Sequence, residues 1–257
     1  MTTHHLDLTD LTTHWKDSKV WNITQYSYGS NLTSLVNTNA PLADRELKTT
    51  YPKGSLCPSK LPLGGLLFYC NPLKLFPLNE ATFGYQVQFP KGFNFVKEIK
   101  LMGLVVGAIG ASGGNHISNG ASARIISREK GYCNAYVYVP KNQSPHYTSM
   151  EGIVCDPVYG DRLWTSSFKL DQPWNDVAMY LKLNTFSPAG KPNFDGVISL
   201  TVNGKTETYS EMVWITKPGE TINFLGVESF FGGSLASWAS PVDQAVYWRN
   251  FYIKTPN

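Results

Sequence analysis

Alternation of apolar and polar residues, cut at intervals by glycine and proline, constrains the fold of this chain more than any other feature. Phe83, Tyr85, Val87 and Phe89 alternate with Thr82, Gly84, Gln86 and Gln88 until Pro90 ends the run. That is the period of a strand with one packed face and one polar face. Met179, Leu181 and Leu183 alternate in the same way with Tyr180, Lys182 and Asn184, and Ile198, Leu200 and Val202 with Ser199 and Thr201. Asn203-Gly204 follows at once, a pair suited to a type I′ hairpin turn, whose two central residues both take positive φ. Residues 63–69 read as a buried strand between loops, and residues 245–254 as a closing strand. No segment shows an amphipathic helical pattern of three turns. An all-β chain is expected, and periodicity alone does not choose between sandwich, jelly roll and barrel.

A chain of 257 residues can bury a sizeable core, and β-sandwiches of this size commonly form single units, so one domain over 1–257 is expected. Residues 1–45, rich in Thr, Asn and Ser without a sustained period, read as an irregular N-terminal arm packed on it, or as irregular strands wrapping the sandwich. With 42% hydrophobic and 16% charged residues, the composition fits neither a disordered chain nor a coiled coil. A net charge of +3 is too small to imply nucleic-acid binding, but it suits an acidic polymer if the cations gather in one groove. No stretch is long and apolar enough to span a membrane, and residues 1–10 lack the basic-then-apolar order of a secretory signal. Neither nucleic acid nor membrane is an expected partner, a monomer is expected, and the compartment stays open. Cys57, Cys70, Cys133 and Cys155 lack the paired CxxC spacing of a zinc site, which leaves free thiols and disulfides both open. Sequons at Asn22, Asn31 and Asn142 would matter only in a glycosylating compartment.

The segment from Lys100 to Pro140 carries the chemistry. Residues 121–126 and 135–139 read as two strands joined through Arg128-Glu129-Lys130-Gly131. Period two puts Ser122 and Arg124 on one face and Ala123 and Ile125 on the other, and it sets Tyr136 and Tyr138 against Ala135, Val137 and Val139. With the small apolar set inside, a serine, an arginine and two tyrosines face one groove if the strands pair. The bland reading of the same pattern is cross-strand packing of Tyr and Arg on a solvated sheet.

At these residues the sequence resembles polysaccharide lyase family 14, which includes chlorella-virus glucuronate-polymer lyases and mollusc alginate lyases, with the viral enzymes most alike. Residues 89–97 are similar to the family's lead-in to a catalytic lysine, and Lys100-Leu101-Met102-Gly103-Leu104 is similar to its Lys-Leu-Pro-Gly-Leu motif. Ser122-Ala123-Arg124 and Tyr136-Val137-Tyr138 match the family's Ser-x-Arg and Tyr-x-Tyr in order and spacing, with His116 in the glycine-rich loop before them. Phe230-Phe231-Gly232-Gly233-Ser234 and Trp238 resemble a Phe-Gly-Gly-rich segment that supports the fold more than the chemistry. The departures are Met102 in place of proline, Val105-Val106-Gly107 in place of a more glycine-rich stretch, and Ile126-Ser127 in place of Met-Trp. They bear on subsite shape rather than on the four principal side chains.

The resemblance implies a single two-sheet jelly roll and β-elimination on 1,4-linked uronic-acid polymers, glucuronan first and alginate second, such as those of an algal cell wall. It makes Lys100, Arg124, Tyr136 and Tyr138 the expected catalytic residues. Lys100 would be the base, its pKa lowered by burial and by Arg124. Arg124 would offer a planar donor fork to the sugar carboxylate, and the tyrosines would donate a proton, position the sugar or act as base at alkaline pH. Ser122, His116, Tyr180, Lys182 and Asn184 are the expected substrate-binding residues. With Arg124 on the carboxylate and no clustered ligands in the sequence, no metal or other cofactor is expected.

The alternative is a non-catalytic carbohydrate-binding jelly roll, which would need no Lys–Arg–Tyr geometry. Other classes fare worse. Gly107 to Gly114 lacks the strand and helix of a dinucleotide site, and Gly204-Lys205-Thr206 reads as a turn. There is no GxSxG or HExxH motif, and no carboxylate pair stands out as a glycoside hydrolase centre.

Overall fold

The computed structural model describes residues 1–11 and 15–257; residues 12–14 of the expected arm lie outside the described residues. In chain order the strands are β1 (Thr2–His5), β2 (Ile23–Tyr28), β3 (Thr33–Val36), β4 (Glu46–Tyr51), β5 (Leu66–Cys70), β6 (Glu80–Gln88), β7 (Glu98–Gly107) and β8 (Gly120–Arg128). They continue as β9 (Tyr132–Tyr138), β10 (Ile153–Val154), β11 (Asp161–Lys169), β12 (Asn175–Lys182), β13 (Gly196–Val202), β14 (Lys205–Met212), β15 (Ile222–Phe231) and β16 (Gln244–Thr255). Helix among the described residues is limited to three-residue 3-10 turns.

Two eight-stranded antiparallel sheets form a sandwich. The front sheet runs β10-β11-β9-β8-β7-β15-β5-β2, and the back sheet runs β14-β13-β12-β6-β16-β4-β3, with β1 also on β16. The inward sets of the alternation meet in one core: Phe83, Val87, Met179, Leu181 and Ile198 from the back sheet, and Ile125, Ala135 and Val137 from the front. Asn203 and Gly204 take φ of 50° and 82° between β13 and β14, so the expected I′ geometry forms where only a residue tolerant of the left-handed region fits without strain.

Two features depart from the sequence expectations. The N-terminal residues take the form of short strands joined to both sheets rather than of an unpaired arm: β1 pairs β16, β2 pairs β5, and β3 pairs β4. Leu6, Leu8, Leu11, Trp15 and Trp21 are part of the main core. These strands are only four to six residues long and lie at sheet margins, too short for their alternation to register. The second departure is a bulge in β7. Leu101 pairs with Ile125, but the next pair is Leu104 with Ala123, so Met102 and Gly103 oppose Arg124 alone. The extra residue lets Leu101 and Leu104 both face the core while Lys100 and Val105 face outward. All four cysteines are unpaired, Cys70 and Cys133 buried, Cys57 half-buried and Cys155 exposed.

Candidate active site

The outward face of the front sheet gathers the chemistry. Arg124 on β8 lies directly across from Tyr136 on β9, and Ser122 from Tyr138, while Lys100 on β7 is paired with Ile126 on one side and Phe230 of β15 on the other. Above them is a cleft of about 520 Å³, walled by Lys100, Tyr136, Tyr138, Arg162, Phe230 and Trp238 among others.

Lys100 is buried, and its Nζ lies 5.4 Å from the ring centre of Tyr136 and 5.3 Å from that of Phe230. Burial is the main force holding its pKa below the usual lysine range. Glu228 opposes that shift, Arg124 adds to it, and Glu98 opposes it more weakly. The neutral amine, the form a base needs, is thereby favoured. The rings of Tyr136 and Tyr138 are perpendicular, 5.5 Å apart, with hydroxyls 3.3 Å from each other. Each phenol oxygen also accepts a backbone N–H, Tyr136 from Gly160 at 3.1 Å and Tyr138 from Gly114 at 2.8 Å. Burial first, and then the neighbouring Tyr138, push the Tyr136 hydroxyl far above the ordinary phenol range, so Tyr136 remains a proton-bearing donor.

Arg124 is placed differently from the expectation of an open fork. Only 1% of the residue is exposed. Its Nε donates to Glu228 Oε1, and its Nη1 donates to Ser122 Oγ and, at 3.1 Å, to the carbonyl of Ala111. Ser122 Oγ donates to the same carbonyl at 2.6 Å. A cation at that depth needs a partner, and Glu228, itself 2% exposed, is the partner. The pair forms a closed, neutral floor beneath the cleft and ties the loop after β7 to the sheet.

Of the expected binding residues, Ser122 belongs to this floor. His116 is exposed in the loop between β7 and β8, with its ring centre 5.1 Å from that of Tyr138, at the rim. Tyr180, Lys182 and Asn184 are not brought to the cleft, since β12 pairs β6 and β13 in the back sheet on the other side of the core. Tyr180 donates to Glu80, and Asn184 is 4% exposed, its Oδ1 accepting the N–H groups of Trp214 and Ile215. Alternation reports which residues share a strand face, and it carries no information on which sheet the strand joins.

Sequence reasoning missed Glu228, Glu98, Arg162 and the cleft-lining role of Phe230, Gly232, Gly233 and Trp238. The signal for Glu228 was available: it is the one charged residue in the apolar run 225–231, and a buried carboxylate must find a cation. Arg162 gave none, because β11 is irregular between Leu163 and Phe168 and its period is broken. Among the described residues no cluster of three His, Cys, Asp or Glu could hold a metal ion. A buried amine beside two phenols suits removal of a carbon-bound proton coupled to protonation of a leaving oxygen.

Residues 40–251 match the family model of polysaccharide lyase 14. Among solved structures, the alginate lyase vAL-1 from Chlorella virus is 30% identical, with a TM-score of 0.81 over 98% of this chain and 99% of that one. The PL-14 alginate lyase from Aplysia kurodai is 24% identical, with a TM-score of 0.79 over 93% and 99%. An endo-β-1,4-glucuronan lyase from the fungus Trichoderma reesei, at 11% identity and a TM-score of 0.56 over 99% and 95%, shares the fold. With these likenesses the sandwich is a β-jelly-roll, as the sequence resemblance implied. No curated protein matches the chain.

Proposed function

The chain belongs to the polysaccharide lyase 14 family, and from that premise we propose that it cleaves 1,4-linked uronic-acid polymers by β-elimination, with Lys100, Tyr136 and Tyr138 at the reacting centre. The observation that carries this reading is the buried Lys100 amine, its pKa held down, in one cleft with two phenols whose hydroxyls are 3.3 Å apart. The Lys100 amine takes the proton from C5, the C4–oxygen bond breaks, a C4=C5 double bond forms, and the departing oxygen receives a proton from a tyrosine. Tyr136, protonated across the working range, is suited to the donor role. Arg124 supports the reaction from below by helping to keep Lys100 neutral and by fixing the loop that supplies Gly114 to Tyr138.

The sequence resemblance favours glucuronan, and the 30% identical relative, an alginate lyase, favours alginate; an algal cell wall as the source of either belongs to the same proposal. The test incubates the protein with each polymer and follows the ultraviolet absorbance of the unsaturated product, beside Lys100→Ala and Tyr136→Phe. Absorbance growth that falls at least about a hundred-fold in both variants is expected, and chelator is expected to leave it unchanged. Because Lys100 must lose its proton, kcat/KM rises with pH through a midpoint below the usual lysine value. Full activity in Lys100→Ala would rule out its role as base. Polymer binding without absorbance would point instead to a non-catalytic binding module.

A further inference from the structure

The closed Arg124–Glu228 pair leaves the negative charge of a uronate in the cleft without the cation that the sequence assigned to it. Several basic groups stand on or near this face, and one of them, Lys97, has its Nζ 5.1 Å from the ring centre of Trp238 and donates to Ser237 at 3.1 Å. Arg124 is occupied, Lys100 must be neutral to act as base, and Arg128 donates to the carbonyl of Thr165 at 2.6 Å. Arg162 is different. It lies directly across from Tyr136 in the β11–β9 register and lines the cleft, with about a third of its side chain (34%) exposed. Its Nε is buried with no hydrogen-bond partner. Its nearest carboxylate is Glu98, with Nη2 and Oε2 4.0 Å apart, beyond hydrogen-bond length. Since β9 and β8 lie between β11 and β7, that approach means that the Arg162 side chain extends across the cleft floor from the Tyr136 strand toward the Lys100 strand. Glu98 holds it loosely: burial pushes its carboxyl up, against Lys100 and Arg162, which favour the ionised form.

We propose that Arg162 is the substrate-carboxylate-binding arginine of this cleft, offering the exposed part of its guanidinium to a uronate beside Tyr136. The inference rests on the lyase reading and deepens it by naming the group that selects acidic over neutral polysaccharide. An arginine suits the task because its planar donors match a carboxylate, and one that Glu98 holds only at 4.0 Å has donors left for a second carboxylate. Removal of the C5 proton adds negative charge to the already ionised carboxylate in the transition state, so the contact is stronger there than in the ground state, and its loss lowers kcat as well as raising KM.

The experiment compares wild-type protein with Arg162→Gln and Arg162→Lys, taking kcat and KM on oligouronates at several sodium chloride concentrations, with melting temperatures alongside. Arg162→Gln is expected to lower kcat/KM at least roughly ten-fold, with kcat falling as well as KM rising. It should also flatten the rise of KM with salt, a change that a purely structural residue would not produce. Arg162→Lys keeps the charge and loses the fork, so its KM should fall between the two, and it carries the test if Arg162→Gln does not fold. A kcat/KM within two-fold of wild type together with a wild-type salt slope in folded Arg162→Gln, or a kcat/KM equal to wild type in Arg162→Lys where Arg162→Gln does not fold, overturns the assignment alone. A wild-type protein that cleaves no uronate polymer overturns the lyase reading, and this assignment with it.

Discussion

Arg124 and Glu228 place opposite charges a few residues' reach from the candidate base, both almost wholly excluded from water. Glu228→Gln would keep the shape and leave the Arg124 cation unpaired, so a loss of about 3–5 kcal/mol in denaturant unfolding is expected. The same change acts on the chemistry. The groups bearing on the Lys100 amine are Glu228, Arg124, Glu98 and Cys57, and the carboxylate of Glu228 favours the protonated form. Without it the neutral amine is favoured further, and the acidic limb of the kcat/KM profile moves to lower pH. A limb that stays in place, in a variant that still folds, would show that Glu228 is structural only. Tyr136 and Tyr138 could be read from the sequence as site candidates because motif spacing and strand period agree there, and Lys100 could be read through the family resemblance alone. The ion pair could not, because alternation marks a charge as facing a given side of a sheet and does not say which of several cations it meets across 104 residues.

Strict alternation made β6, β12 and β13 legible, each with one face wetter than the other, whereas β7 left no period to read. Every residue of β7 is buried, so its run of Leu, Met and Val hides both the period and the bulge that shifts it. That bulge depends on Gly103. A Cβ there would lie 1.9 Å from the carbonyl oxygen of Ala123, a backbone atom beside Arg124 that cannot rotate away. Gly103→Ala is therefore expected to cost about 1–3 kcal/mol as an overpacked site. By displacing Lys100 relative to the tyrosines by up to about 1 Å, it should also lower kcat on the order of a hundred-fold. Gly204→Ala is the matched control. Nothing lies within 4 Å of its added Cβ, so only the cost of φ at +82° remains, roughly 1 kcal/mol, with kcat unchanged. Equal kcat values for the two variants would mean that the bulge does not set the position of Lys100.

At the scale of the whole molecule, the part least legible in the sequence is the segment that ties the two sheets together at one end. The family match begins at residue 40, yet Trp21 is fully buried, its ring edge-on to Phe251 of the back sheet at 5.3 Å and to Phe68 of the front sheet at 6.2 Å. Its indole N–H donates to the carbonyl of Asp7 at 2.8 Å, which fixes the path of the chain leaving β1. A side chain wedged between both sheets couples their stabilities, so the N-terminal residues are expected to unfold with the rest as a single cooperative unit. Trp21→Ala is expected to cost about 3–5 kcal/mol, with fluorescence and far-ultraviolet circular dichroism reporting one coincident transition shifted to lower denaturant. Tyr136 and Lys100 face the cleft on the outward side of the front sheet, away from the core in which Trp21 is buried, so the variant should retain wild-type kcat under conditions where it is folded. Two separated transitions, or an early loss of β1 and β2 with the cleft still active, would show instead that the N-terminal segment is an accessory layer on a jelly roll that stands without it.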